Sequence, residues 1–500
     1  MTKRWPHAPA HNNLYSACCV TALAGLLTGC SVGPDFKAPV PPNVSNFRAA
    51  NDRGLVGLPS TTGKELSWSV GQDISAQWWT IFRSPQLDAL VKEAFDHNPD
   101  IQAAQASLRV AMENVKAQAG SLYPSITGGF GASRNKQSAQ LSPVLASPAL
   151  LYNLYQTQLS VSWTPDLWGA NRRSVEALQA QADAQRYQLE ASYVGLAAAL
   201  VAAAIQEASL REQISAIHEL IEDDKNILAT ERQQKSLGQV SGQEVAAQET
   251  VLAQAEAALP PLSKQLSEQR DVLTVLAGRY PADQVQQTFY TGDLSLPAEL
   301  PLTVPSRLVE RRADVRMAEE NMHMATAGVG IAIANTLPNV TLAANAGTVA
   351  TQLGQLFVPG NEFWTLGSGI TQPLFDGGTL LHRKRAAEAT LEQASALYRS
   401  TVLRAFQDVA DTLDAIENDV SAQKFAQAAE DAAARSLSLA QKQEAVGQVG
   451  RLAVLNAEAA YLQTKVASIS ARTNRLTDSA ALFQALGGGW WNRSDKVATE

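Results

Sequence analysis

The chain is poor in the residues that build disulfide frameworks, metal centres and nucleic-acid surfaces. Of its 500 residues three are cysteine, Cys18, Cys19 and Cys30, all within the first thirty, which excludes a disulfide framework and a thiolate metal site from the body. Charged residues make up 18% and aromatics 6%; 40 basic against 48 acidic residues leave a net charge of −8, so nucleic acid is not the partner. Long hydrophobic runs are missing too. The longest, Val194 to Ile205, falls short of the roughly 18 residues a membrane helix needs, which excludes a helical span beyond the N-terminus. His97, His218, His323 and His382 are isolated, without HExxH or another metal spacing, and each reads as a solvated helix residue. Gly328-Val329-Gly330 lacks the third glycine and the preceding strand of a dinucleotide site and reads as close helix packing. Asp411, Asp414 and Glu417 share a helix face, but paired carboxylates need a pocket for chemistry, and a solvated wall explains them more simply. The expectation is a protein that is not an enzyme and carries no cofactor or metal.

The N-terminus reads as an address. Lys3 and Arg4 precede the apolar segment Ala17 to Leu27, of signal-peptide length, so residues 1–29 are expected to be removed. Leu27-Thr28-Gly29-Cys30 resembles the bacterial lipobox, which makes Cys30 the expected lipidation site, carrying acyl and diacylglycerol chains that hold the protein to a bilayer. Ser31 rather than Asp follows it, the pattern that in enteric lipoproteins implies the outer membrane. Residues 30–75, rich in Pro, Gly, Asn and Ser, read as an extended tether.

The body is written twice. At a shift of 214, Asp100-Ile101 aligns with Asp314-Val315 and Tyr123-Pro124 with Leu337-Pro338. At 209, Gly169 aligns with Gly378, Gly238-Gln239-Val240 with Gly447-Gln448-Val449, and Glu249 with Glu458. The copies are assigned to residues 76–300 and 301–488, with 489–500 a tail. Each opens on an Ala-rich helix, Pro99 to Leu122 in the first, and then changes period from 3.6 to 2. Two strands are predicted near 125–166, from Ile126, Phe130, Leu159, Val161 and Trp163, and two near 338–376, from Val340, Leu342, Trp364, Leu366 and Ile370. A helix hairpin follows each pair, over 170–277 and 378–486. Its first arm runs about 68 residues, roughly 100 Å, with a coiled-coil seam at Val175, Leu178, Ala182, Leu189, Leu196, Ala199, Ala203, Leu210, Ile217 and Leu220. The return arm is about half as long. Opening helix and return helix together nearly match the long arm, so two short helices stacked end to end can lie along one long partner.

Four strands of about 10 to 13 residues have the length of outer-membrane barrel strands, yet four cannot close a barrel. In lipid every strand edge must be paired, so the chain is expected to supply a fraction of a shared cylinder: two copies give eight strands, three give twelve. A soluble meander lying on the helices is the alternative from periodicity alone.

Further signatures give the chain a family likeness. They are Val32-Gly33-Pro34-Asp35-Phe36, Trp78-Trp79 with Phe82, Asn98-Pro99-Asp100, Asp166-Leu167-Trp168-Gly169, Thr371-Gln372-Pro373-Leu374-Phe375-Asp376-Gly377-Gly378 and Ala485-Leu486-Gly487-Gly488-Gly489-Trp490. In order and number they resemble the TolC-like outer-membrane efflux proteins, in the lipoprotein branch (NodT type) that serves resistance-nodulation-division (RND) pumps. The resemblance implies a mixed α+β membrane fold: a homotrimer whose twelve strands form an outer-membrane β-barrel, continued by a long α-helical barrel in the periplasm. It implies a passive exit duct for drugs or other small toxic compounds, docked to a periplasmic adaptor and an inner-membrane RND pump. The helix turns Gly238-Gln239-Val240-Ser241 and Gly447-Gln448-Val449-Gly450 match the family's adaptor-contacting tips; from the residues alone they are glycine C-caps joining antiparallel helices. Two departures stand out. Arg312-Ala313-Asp314 replaces the usual Arg-Pro-Asp, which is expected to loosen that helix start. Where the family often carries an acidic pore-narrowing ring, this chain has Ala434 to Leu439, with Glu430, Asp431 and Glu444 the nearest acids; cation block, if any, is expected to depend on Glu430 or Asp431. A type I secretion exit duct and a non-conducting coiled-coil spacer lipoprotein are the competing readings.

Overall fold

The computed structural model describes residues 31–44, 46–47, 58–59, 65–136, 151–297, 299–302 and 305–493. The signal segment, Cys30 and the tail beyond 493 lie outside the described residues. The strands are β1 (Leu58–Pro59), β2 (Glu65–Val70), β3 (Ser125–Lys136), β4 (Leu151–Trp163), β5 (Glu299–Leu302), β6 (Asn339–Ala350) and β7 (Glu362–Thr371). The α-helices are α1 (Pro85–His97), α2 (Pro99–Ala119), α3 (Ala170–Ser236), α4 (Gly242–Leu276), α5 (Pro305–Arg311), α6 (Ala313–Ala334), α7 (Thr379–Ala445) and α8 (Arg451–Ala485).

The two sequence copies are not the two compact units of the fold. Of the described residues, one unit gathers those within 31–39, 109–184 and 319–397; the other gathers those within 40–108, 185–318 and 398–493. Each unit takes parts of both copies because α3 and α7, of 67 residues each, run on from the first into the second.

The first unit holds a four-stranded antiparallel sheet in the order β3-β4-β6-β7, so the copies meet at β4 and β6. The register puts Ile126, Phe130, Leu159, Val161, Leu342, Ala344, Ala346, Trp364, Leu366 and Ile370 on one face, because alternate residues of a strand share a side. Ser160, Ser162, Gln156, Gln158, Asn345, Thr365, Gly367 and Gly369 lie on the other. There Gln158 donates to Ser160 (2.8 Å) and to Asn345 (2.9 Å), a polar ladder across the central pair. β4 begins at Leu151, earlier than the alternation around Leu159 suggests.

Residues 31–36 also belong to this unit. The Val32 amide donates to the Trp168 carbonyl (3.1 Å), and Arg173 donates to Asp35 (2.6 Å) and Glu176 (2.7 Å). Phe36 stacks on His323, with 4.3 Å between ring centroids, while the ring nitrogens of His323 meet Glu320 (3.2 Å) and Glu176 (3.1 Å). His323 is therefore a packed residue rather than a solvated one. Gly33 approaches Gly330 so closely that a Cβ on Gly33 would lie 2.5 Å from the Gly330 Cα. The close packing expected at Gly328-Val329-Gly330 is made by this incoming segment. The tether is also shorter than 30–75, since β2 pairs in parallel with β5. That pairing, made across more than two hundred residues, leaves no local sequence signal.

The second unit holds the main apolar core, where Ile74, Trp78, Phe82, Leu87, Leu90, Leu200, Ile205, Phe289, Ile416 and Phe483 are buried. One 18-residue stretch of α3 is apolar enough to cross a membrane by composition, with mean hydropathy 1.5, but more than half of it is buried within the fold. Of the expected seam, Ala182, Leu189, Ala203, Leu210 and Ile217 are buried, Val175, Leu178, Leu196 and Leu220 are half-buried, and Ala199 is exposed. Between Ala197 and Leu210 the helix is covered on nearly all sides, leaving Ala199 and Gln206, seven residues apart, on its open face.

The short helices do stack end to end, at two matching joints. Asn98, just before α2, accepts from the Asp100 and Ile101 amides (2.9 and 3.3 Å) and donates to the Leu276 carbonyl at the end of α4 (2.9 Å). In the second copy Arg312, at the position of Asn98, donates to the Ala485 carbonyl at the end of α8 (3.2 Å). Arg312 also binds Asp314 (2.7 Å) and Asp408 of α7 (2.8 Å), so the helix start expected to be loose is tied to two neighbours. Gly278 and Gly487, with φ of 80° and 97°, let the chain pass within contact of the His97 and Arg311 carbonyls, where a Cβ would lie 2.5 and 2.8 Å from oxygen.

Candidate functional site

Both hairpins of the second unit end in one and the same turn. Gly238 and Gly447 each take φ of 71°, and Gln239 and Gln448 donate back to the carbonyls of Gln234 (2.9 Å) and Gln443 (2.8 Å). This six-to-one bond with a left-handed glycine is how a helix stops when its last carbonyls still need donors. Gly238, Gln239, Ser241, Gly447, Gln448 and Gly450 are exposed, Val240 and Val449 half-buried, and Leu237 and Val446 stand out beside them as exposed apolar side chains. Each chain therefore presents two near-identical tips of small, amide and apolar groups.

The hairpins part company one residue later. Ser241 caps α4: its hydroxyl accepts from the Glu244 amide (3.3 Å), and its own amide donates to the Glu244 carboxylate (2.6 Å). Gly450 gives α8 no such cap, and Arg451 follows as the first helical residue. A cation at a helix N-terminus opposes the helix dipole, so its partners must compensate. Arg451 donates to Gln248 of α4 (2.8 Å) and pairs with Glu231 of α3 (3.3 Å) and Glu444 of α7 (3.5 Å). Gln248 in turn donates to Asp224 of α3 (2.6 Å). Glu458 of α8 closes the cluster. All four long and return helices thus meet at one ion-and-amide knot near the tips.

The knot is short of positive charge. Asp224, Glu231 and Glu458 are buried, at 0%, 7% and 4% exposure, and each keeps one carboxylate oxygen without a hydrogen-bond partner. Burial pushes the Glu458 carboxyl up to about 7; Asp224, Asp223 and Glu444 push the same way, and Arg451 opposes them. Burial likewise raises Asp224, against its Gln248 hydrogen bond and Arg451, and raises Glu231, against Arg451.

The acids expected to narrow a pore sit elsewhere. Glu430 is half-buried and Asp431 exposed, both within reach of the Gln427 amide (3.4 and 3.2 Å), about 20 Å of helix back from the tip. Glu444 is the acid that belongs to the tip region, through Arg451. Sequence reading missed Asp224, Glu231, Gln248 and Arg451. Two signals were present: a cation opening a helix, and the carboxylate of Glu458 recurring at Glu249 in the other copy, where it is exposed and paired with Arg232 (2.8 Å). Asp411 and Asp414 are exposed and Glu417 half-buried on α7. No group of three or more His, Cys, Asp or Glu side chains among the described residues is arranged to hold a metal ion.

The sequence profile of the outer membrane efflux protein family matches residues 90–279 and 304–488, one match per copy. The chain is 29% identical over 421 residues to the pyoverdine export outer membrane protein OpmQ of Pseudomonas putida, an overlap covering 83% of this chain and 88% of that protein. It is 27% identical over 483 residues to the toluene efflux pump outer membrane protein TtgF of Pseudomonas putida, covering 96% and 98%. Among solved structures, the outer-membrane channel OprN superposes with a TM-score of 0.81 at 24% identity, over 92% of this chain and 100% of that one.

Proposed function

The chain belongs to the outer membrane efflux protein family and is an outer-membrane efflux channel component, and from that premise we propose that three copies close one cylinder that serves as a passive exit duct. The observation that carries this reading is the sheet. Its apolar face leaves Ile126, Phe130, Leu159, Trp364, Leu366 and Ile370 exposed, Leu366 at 76%, while the opposite face is mostly amide, hydroxyl and glycine, with Leu154, Val349 and Phe363 among them. Such a sheet suits lipid on one side and water on the other. Among the described residues β3 and β7 each leave one edge unpaired, which hydrocarbon does not tolerate, so β7 of one copy pairs with β3 of the next. Twelve strands follow from three copies. A non-conducting spacer would leave the two-faced sheet without a use.

In this reading Cys30 carries the lipid, and the residues that follow it, 31–36, dock beside Trp168 and Arg173. The helical hairpins extend into the periplasm, and the tips at 238–241 and 447–450, two per copy and six per trimer, meet a periplasmic adaptor. An inner-membrane RND pump supplies the energy, and the cargo is a small organic compound, as the names of the relatives suggest for those proteins. The duct performs no chemistry; its residues bind, line and close.

The faces give the test. Leu366→Arg places a charge in lipid and costs about 2–4 kcal/mol at the membrane midplane, whereas Thr365→Arg, one residue away, points into water. Leu366→Arg is expected to abolish recovery of the heat-modifiable trimer from outer membranes, and Thr365→Arg to leave it in place. Equal recovery of both variants refutes the membrane sheet.

A further inference from the structure

We propose that the buried carboxylates of Asp224, Glu231 and Glu458 form a proton-operated tie between the two hairpins: protonated, they hold α8 against α3 and α4, and ionised, they release it. The proposal uses the duct reading only in calling this end of the helices the entrance.

The charges around these carboxylates do not balance. Facing Glu458 are Asp223 and Asp224 from α3, Glu444 from α7 and Arg451 from its own helix; beside Glu231, α4 adds Glu244. Arg451 reaches this whole group, whereas Arg232 and Lys225 on α3 pair with the exposed Glu249 and Glu222 instead. One guanidinium cannot satisfy three buried carboxylates, and the three partnerless oxygens show where the deficit falls. A proton on Glu458 removes its charge and with it the repulsion from Asp224. The first copy shows what a hairpin without this feature does, since there the matching Glu249 lies in solvent paired with Arg232. The second hairpin alone carries its glutamate inward.

The direction with pH follows from burial. Glu458 is harder to ionise packed than free, about 7 against an ordinary 4.5, so the packed state binds its proton more tightly. Packing is therefore favoured at low pH and weakens as pH rises from about 4.5 through about 7; Asp224 and Glu231, raised in the same direction, add to the effect. Between about pH 6 and pH 8, Glu458 alone lowers the ratio of packed to released tips about tenfold.

The experiment is hydrogen exchange followed by mass spectrometry on the purified full-length protein at about pH 6 and pH 8, with intrinsic exchange rates corrected for pH. The amides of residues 451–465 are the readout. Asp419 on α7, also raised by burial and by its hydrogen bond to Asp478, belongs to a level of α8 further from the tip. Protection at 451–465 is expected to fall about tenfold between the two pH values in the parent chain and not in Glu458→Gln. Asp224→Asn removes the repulsion from the other side and is expected to shrink the fall; it replaces Glu458→Gln if that variant does not assemble. An unchanged parent chain, or an equal fall in Glu458→Gln, overturns the proposal. Channel conductance is recorded on the same preparations: a conducting trimer without pH-dependent exchange removes the tie and keeps the duct, and pH-dependent exchange in a non-conducting protein does the reverse.

Discussion

Truncating Arg451 isolates what the knot contributes. Arg451→Ala removes the cation shared by Glu231 and Glu444 and the donor that orients Gln248, and through Gln248 it frees Asp224. The Glu231 and Arg451 side chains are 9% and 11% exposed, so the loss is that of a mostly buried pair. Breaking such a pair costs about 3–5 kcal/mol; Glu444, a third exposed, is screened, which places the effect near the lower bound, about 3 kcal/mol. That is about a 150-fold loss of exchange protection in the first turns of α8 near neutral pH. Neutral carboxyls need no cation, so the loss is expected to shrink at about pH 5, and in a Glu231→Gln background it is expected to fall by about 1 kcal/mol because the two sites share one interaction. A change below about threefold, or full additivity with Glu231→Gln, refutes the assignment of Arg451 as the pin of the four helices.

Two further outcomes follow from the joints. Asn98→Ala loses a helix cap and the bond to the Leu276 carbonyl and is expected to lower stability by about 1–2 kcal/mol, read by denaturant unfolding; Arg312→Ala, whose carboxylate partners are more exposed, is expected to cost about as much. Arg173→Ala frees Asp35 and removes a wall of the slot around Gly33, so limited proteolysis is expected to cut residues 31–40 faster while the tips stay protected.

The sequence was most informative where one pattern governs a whole element. Period-two alternation around Ile126, Leu159, Leu342 and Leu366 marked the strands, because one apolar and one polar face impose it there; it fails toward the other ends, where Arg134, Lys136 and Glu362 fall on the apolar side and Leu154 on the polar one. The glycines at 238 and 447 marked the tips, because a left-handed turn admits few other residues. The helix lengths foretold the end-to-end joints, since opening and return helix together nearly match the long arm; that Asn98 and Arg312 do one job there with different side chains is visible only in the structure. Contacts between distant segments were out of reach. Nothing near Glu65 announces its pairing partner at 299–302, and His323 reads as solvated until Phe36 is laid on it. The knot stayed hidden for the same reason: Asp224, Gln248, Arg451 and Glu458 are ordinary helix residues singly, and only the packing of four helices makes them a deficit of charge.

Single-channel recording from the purified protein in planar bilayers tests the central claim most directly. The account predicts that the oligomer, identified by its mass on the same sample, inserts as a trimer and opens stable ion-conducting events, and that monomer separated by heating conducts nothing. A monomer that inserts stably by itself, or a trimer that inserts without conducting, would contradict it.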